Sequence, residues 1–292
     1  MKTQIKATLI GNYANESLQS NNEGKVMGVT SRGIFLLFGN KTLFLTTDKH
    51  HSPFNISFPL GSTLPQEITF GDPVFFSQEE LLIPSREMTI SLQNVPIWTP
   101  PIPAQIINSI PDQELNARKI LDILRILDSK KGYLFLDNRS SLDTTEQSHI
   151  RRMASAFLRS FRLNDIDTCL EISSQVFGLG TGLTPSGDDW LTGFLLYQTC
   201  TDIARKISRP FIAGLGPEMI YGAYKKTTTV SANRLEAALK GWSEELFLSC
   251  VKYLFDTTSG DPQALAEGLF GFGHSSGVDT FIGIAYSCKA LE

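Results

Sequence analysis

What this 292-residue chain lacks removes several classes of protein at once. No apolar run approaches the roughly 20 residues a membrane helix needs, so no membrane span is expected. Cys169, Cys200, Cys250 and Cys288 stand far apart with no C-x-x-C pair, which gives no zinc knuckle or redox dithiol and predicts buried, reduced thiols. The histidines, His50, His51, His149 and His274, form no H-E-x-x-H, so a protein-only zinc site has no support. Positive charge is not in surplus: the net charge of −4 offers no general attraction to nucleic acid or anionic membrane. Any anion site must therefore be local. Met1 to Lys6 runs into mixed polar sequence without an apolar signal core, and a cytoplasmic location is the expectation.

The first hundred residues read as short strands between turns. Ala7–Ile10, Val26–Val29, Gly33–Phe38, Leu43–Thr46, Asp72–Phe76 and Met88–Leu92 are the strand candidates, and Gly39-Asn40 between two apolar strands signals a hairpin. Gly11 through Gly24 reads as a polar, solvated loop. Pro96, Pro100, Pro101 and Pro103 then form a stiff connector, because successive prolines suit neither a helix nor a central strand. Beyond it the period becomes helical. Ile120, Leu121, Leu124 and Leu127 share one face with Asp122 and Arg125 opposite, and further helices are expected near 146–162, 165–176, after Ser186, at 217–224, after Ser231, at 246–255 and after Ser276. Arg151, Arg152, Arg159 and Arg162 read as a solvated basic stripe. The expected fold class is α+β, with a β-rich barrel or sandwich over 1–103 and a mainly α-helical domain over 104–292.

The densest stretch is Gly178 to Gly193, GLGTGLTPSGDDWLTG. Five glycines, three threonines, a serine and two adjacent aspartates fill its sixteen positions, directly ahead of apolar Phe194–Tyr197. This is loop chemistry feeding a helix, with Thr184 or Ser186 as the capping residue and Asp189 as the acid of a capping box. Backbone N–H groups at such an end face a ligand from the positive pole of the helix, which favours anions. It is not a Walker loop, since Asp188 follows Gly187 where a lysine is required, and no parallel βαβ setting makes it a dinucleotide fingerprint.

The stretch has an echo. A shift of ninety positions lays Gly178, Leu179, Ser186, Gly187, Asp189 and Gly193 on Gly268, Leu269, Ser276, Gly277, Asp279 and Gly283. Two readings stand. Capping chemistry selects similar residues at any glycine-rich helix start; alternatively two corners face one ligand, with Gly193 and Gly283 letting their helices approach closely. Between them, Lys225-Lys226-Thr227-Thr228-Thr229-Val230-Ser231 makes a third hydroxyl-rich corner with two lysines.

Neutral donors with one or two lysines suit phosphate, a carboxylate or a carbamoyl phosphate. Candidate binding groups are Gly180, Gly182, Thr184, Ser186, Gly187, Thr228, Thr229, Ser231, Ser275 and Ser276. The aspartates would repel such an anion unless a cation bridges them or they turn inward. Asp189 and Asp279 suit a structural role; Asp188, which the second copy replaces with Val278, is the candidate functional acid and the candidate Mg²⁺ ligand. His274, inside a glycine corner, is the candidate general acid/base or hydrogen-bond donor.

The motifs Gly178–Asp189, Thr228–Ala232 and Gly273–Asp279 together resemble a bacterial family that includes the AllH subunit of oxamate carbamoyltransferase. The resemblance covers the second half of the chain. It implies a part in anaerobic allantoin breakdown, in which oxalurate and phosphate give oxamate and carbamoyl phosphate, within a hetero-oligomer of this chain and two other subunits, one similar to acyl-CoA synthetase proteins. Nothing here matches the Ser-Thr-Arg-Thr loop of aspartate and ornithine carbamoyltransferases. The alternatives are a non-catalytic subunit that binds an anion or docks a partner, and a component of an ATP- or acyl-phosphate-dependent ligase.

Overall fold

The computed structural model describes residues 3–59, 68–137 and 143–290, and the chain forms two compact units, Met1–Pro100 and Pro101–Glu292. The fold is α+β, as the periodicities predict.

Among its described residues the first unit holds ten strands: β1 (Thr3–Lys6), β2 (Leu9–Gly11), β3 (Glu23–Thr30), β4 (Gly33–Phe38), β5 (Lys41–Thr46), β6 (Asn55–Ser57), β7 (Pro73–Ser77), β8 (Glu80–Ile83), β9 (Met88–Ser91) and β10 (Ile97–Trp98). They form one mixed, curled sheet in the order β1-β9-β8-β7-β3-β4-β5-β6-β2-β10. Curling follows from continuity of the chain. Between β1 and β2, Ala7 N–H donates to Ser91 O and Thr8 N–H to Ser57 O, so one extended segment reaches both ends of the sheet. Alternation sets the inner face: Ile34, Leu36 and Phe38 of β4 and Leu43 and Leu45 of β5 are buried in one core with Val26, Val74, Leu81 and Ile90. Gly39-Asn40 makes the expected two-residue turn between Phe38 and Lys41. The expected polar loop after Gly11 is instead helix α1 (Asn12–Ser20). Its Tyr13, Ala14, Ser17 and Leu18 form a buried stripe at helical spacing, which short polar neighbours obscure in the sequence.

The second unit comprises α2 (Ile110–Asp128), a 3₁₀ turn at Gly132–Asp137, α3 (Thr145–Arg162), α4 (Ile166–Val176), α5 (Ser186–Arg205), α6 (Pro210–Lys226), α7 (Thr229–Leu239), α8 (Glu245–Phe255), α9 (Pro262–Gly271) and α10 (Ser276–Lys289). None of the described helices is long and apolar enough to cross a membrane. On α2, Ile120, Leu121 and Leu124 are buried as expected, whereas Leu127 is exposed because the stripe ends a turn earlier. The arginine stripe of α3 is mixed. Arg151 is half-buried, pairing with Asp143 and donating to the Phe135 and Leu136 carbonyls, while Arg152, Arg159 and Arg162 are exposed. All four cysteines are free and buried.

Two helices form the centre. Every residue of α5 from Gly187 to Asp202, and of α10 from Gly277 to Cys288, is buried. Their crossing depends on the two glycines. A Cβ at Gly193 would stand 1.9 Å from Thr280 O, and one at Gly283 would stand 2.0 Å from Trp190 O, so the backbones meet where any side chain would collide. Around the crossing pack Trp190, Phe194, Phe157 and Phe161, with Phe157 edge-on to Phe194 at 5.0 Å between ring centres.

Candidate functional site

The three sequence corners meet at the N-terminal ends of α5, α7 and α10. Thr184 Oγ1 and Ser276 Oγ lie 2.9 Å apart, joining the loop before α5 to the first residue of α10. Thr228 Oγ1 donates to Leu183 O at 2.6 Å while accepting from Ser231 N–H at 3.1 Å, so the cap of α7 also holds this loop. Gly180, Thr181, Gly182 and Leu183 are exposed, Thr184, Ser186, Thr229, Ser275 and Ser276 are half-buried, and His274 is exposed at the corner before α10.

The capping arrangement differs from the expected one. Pro185 occupies the N-cap of α5 and no side chain caps that helix. Thr184 is instead engaged with Ser276, Ser186 lies against Asp279, and Asp189 turns to Arg234. Gly187 N–H donates to Leu179 O, and Asp188 and Asp189 N–H both donate to Pro185 O. The Gly187, Asp188 and Asp189 N–H groups are thus committed to the chain, and Gly187 offers none outward.

The echo is real around the crossing and slips before it. From Ser186 onward the ninety-residue shift holds, with Gly193 and Gly283 in equivalent contacts. Ahead of the helices, Gly187 N–H donates to Leu179 O as Gly277 N–H donates to Phe272 O, and Gly180 packs on Ser186 as Gly273 packs on Ser276. There the equivalent residues are Leu179 and Phe272, a shift of ninety-three, so the first loop is three residues longer than the second. The sequence match of Gly178-Leu179 with Gly268-Leu269 is therefore not a structural equivalence. The longer first loop carries Leu183 and Thr184, the residues that reach α7 and α10.

Beneath the corners lies a buried charge cluster. Asp188, 1% exposed, accepts from Gly178 N–H at 2.9 Å and from the Thr227 hydroxyl, with the buried Ser231 hydroxyl also acting on it. Burial raises its pKa against these donors. Both oxygens being engaged by the chain, Asp188 holds the loop to α7. Among the described residues no three His, Cys, Asp or Glu side chains gather as a metal site.

Asp189 pairs with the buried Arg234 guanidinium of α7, which reaches on to Glu244 at 3.3 Å. Burial raises Asp189 to about 7, Arg234 opposing and Asp279 reinforcing the shift, with the Ser276 and Thr184 hydroxyls lowering it. Asp279 accepts from Tyr133 N–H at 2.5 Å. Burial raises its pKa too, opposed by Ser186, the Tyr133 N–H, Ser275 and His274. The arrangement is reciprocal: hydroxyls at the start of each helix face the aspartate of the other.

Two expectations on charge are corrected. Lys225 Nζ sits 3.6 Å from the centre of the Tyr221 ring and Lys226 Nζ is held by Ser174, so neither lysine serves the corner. The helical periodicity of α6 carries both onto its last turn, away from the Thr228 cap. The cation that matters is Arg234, which sequence reading missed together with Glu244 and Tyr133; no local spacing marks them, since Arg234 lies 45 residues from Asp189.

No solved structure matches the chain. Residues 176–288 match the family model described as oxamate carbamoyltransferase subunit AllH, a span that runs from the end of α4 to α10 and contains every candidate site residue. Over those residues the chain matches the family that its three motifs resemble.

Proposed function

We propose that the chain is a subunit of an oxamate carbamoyltransferase-like enzyme and that it binds a small phosphate or carboxylate anion where α5, α7 and α10 converge. The observation carrying this reading is the convergence itself: three helix N-termini, each a positive pole, are tied together by the Thr184–Ser276 and Thr228–Leu183 hydrogen bonds around an exposed glycine loop. The match of residues 176–288 to a carbamoyltransferase subunit family supports the reaction class. The loop N–H groups of Gly180 to Thr184 and of Ser186, with the Thr184 hydroxyl, hold phosphate, and Thr229, Ser275 and Ser276 are further donors. His274, exposed beside them, polarises the carbamoyl group of oxalurate as a phosphate oxygen attacks its carbon, the bond from that carbon to the oxamate nitrogen breaks, and the nitrogen takes the proton of hydrogen phosphate. Asp188 positions the loop from below. Partners complete the hetero-oligomer, as the subunit description suggests. Thr184→Val and His274→Ala should each depress phosphorolysis of oxalurate in the assembled complex by about tenfold or more. Full activity in both variants contradicts the assignment.

One observation favours a second reading. Asp188, the acid expected to do chemistry, is buried with both oxygens engaged, and His274 is left as the exposed titratable group of the corner. On this reading the chain holds the anion and a partner supplies the reacting groups. Phosphate binding lost in Thr184→Val, with full turnover in His274→Ala, is the result that selects it.

A further inference from the structure

The inference below rests on the anion-site reading and concerns how the corner accepts negative charge. Asp188, Asp189, Asp279 and Glu244 are all buried, and the one buried guanidinium among the described residues, Arg234, pairs with Asp189 and Glu244 only. Asp189 Oδ2 and Asp279 Oδ2 are moreover buried without a hydrogen-bond partner, the costliest state for an ionised oxygen. The groups facing the pair come from every side. Arg234 arrives from α7 with Glu244 behind it, Tyr133 from the 3₁₀ turn and His274 from the corner before α10, while Asp188 stands next to Asp189 on α5. Thr184 and Ser276 act on Asp189, and Ser186 and Ser275 on Asp279.

Each of these hydroxyls has one proton to give. The Thr184–Ser276 hydrogen bond takes one of these protons; while both carboxylates are ionised the others are drawn toward them without closing a hydrogen bond to either Oδ2, and the corner shows lone pairs outward above negative charge that Arg234 only partly offsets. Both features repel an anion. A proton on the pair reverses them: it satisfies a buried oxygen, removes one charge and frees a hydroxyl proton to point at the ligand.

We infer that an anion binds at this corner together with a proton, taken up by the Asp189–Asp279 pair, which acts as a positioning pair for Ser186, Thr184 and Ser276. Sulfate is the probe, because it stays a dianion across the neutral range and adds no titration of its own. The full chain is titrated calorimetrically with sodium sulfate at pH 7 in two buffers of different ionisation enthalpy, and its affinity is measured from pH 6 to 8. The expected heat depends on the buffer, corresponding to uptake of up to about one proton per anion, and affinity weakens toward tenfold for each unit of rising pH. Asp279→Asn should bind sulfate with that dependence flattened, and His274→Gln should retain it. Heat independent of buffer with flat affinity overturns this inference and leaves the anion site standing. No sulfate binding at any pH overturns both. Coupling lost in His274→Gln and kept in Asp279→Asn moves the proton to His274 and also overturns it. The unsubstituted chain decides the matter even if Asp279→Asn fails to fold.

Discussion

Arg234 is, among the described residues, the one buried cation, and it pairs with Asp189 while reaching Glu244. Removing one partner of a buried pair leaves the other charged and unsolvated, so Arg234→Met should cost about 3–5 kcal/mol in denaturant unfolding. A loss near zero would mean that the aspartate takes a proton and needs no cation. The same cluster fixes a dependence on pH. Asp189 is raised to about 7 from an ordinary value of 3.8, so between these the folded chain keeps a proton that the unfolded chain has released. The folded state binds more protons, and stability must fall as pH rises through that window, the loss being complete above about 7. Asp143, Asp165 and Asp256 are shifted the other way by their hydrogen bonds, and their contribution is lost only as pH falls toward and below the ordinary carboxylate range. Urea midpoints from pH 5 to 8 should therefore decline; a rise across that range contradicts a burial cost on Asp189 that outweighs its pairing with Arg234.

At the scale of elements, the centre of the helical unit is the α5–α10 crossing. Gly193→Ala places a methyl group 1.9 Å from a carbonyl oxygen of a buried helix, where neither backbone can yield cheaply. A loss of about 3 kcal/mol or more is expected, and the equivalent change at Gly283 should match it. Unchanged melting temperatures in both would mean that the helices separate freely. The glycines were legible because mid-helix glycine at matched positions of two similar segments is costly without a packing reason. The segments of β2, β3, β4, β5, β7 and β9 were legible as strands and the hairpin from Gly39-Asn40, whereas β1, β6, β8 and β10, of two to four residues each, were too short to show a pattern. Elsewhere local pattern failed for physical reasons. α5 is buried on all sides and shows no amphipathic stripe to read; α1 hides a buried face among short polar residues; the caps of α5 were misassigned because Thr184 and Ser186 found partners across the crossing. The three-residue difference between the two corners is equally invisible, since the sequences align without a gap.

For the molecule as a whole, the two units have separate hydrophobic cores, one inside the curled sheet and one around α5 and α10. The candidate site is built entirely from the second unit. A fragment of residues 101–292 should accordingly fold by itself, giving helical circular dichroism and one cooperative melt; a chain without cooperative melting would show that the helical core depends on the first unit. Which anion the corner takes was legible only as a class, because the neutral donors fit phosphate and carboxylate alike, and the charge balance that governs binding is set by Arg234, Asp189 and Asp279 across the fold.

The central claim is that the glycine loop and the three helix ends bind a small anion. It is tested most directly by calorimetric titration of the full chain with inorganic phosphate, beside Thr184→Val, which keeps the shape of the side chain and removes its hydroxyl. The account predicts saturable binding by the unsubstituted chain and at least about tenfold weaker binding by the variant, the worth of one charge-assisted hydrogen bond. Equal affinity in the two chains, or no binding by either, would contradict it.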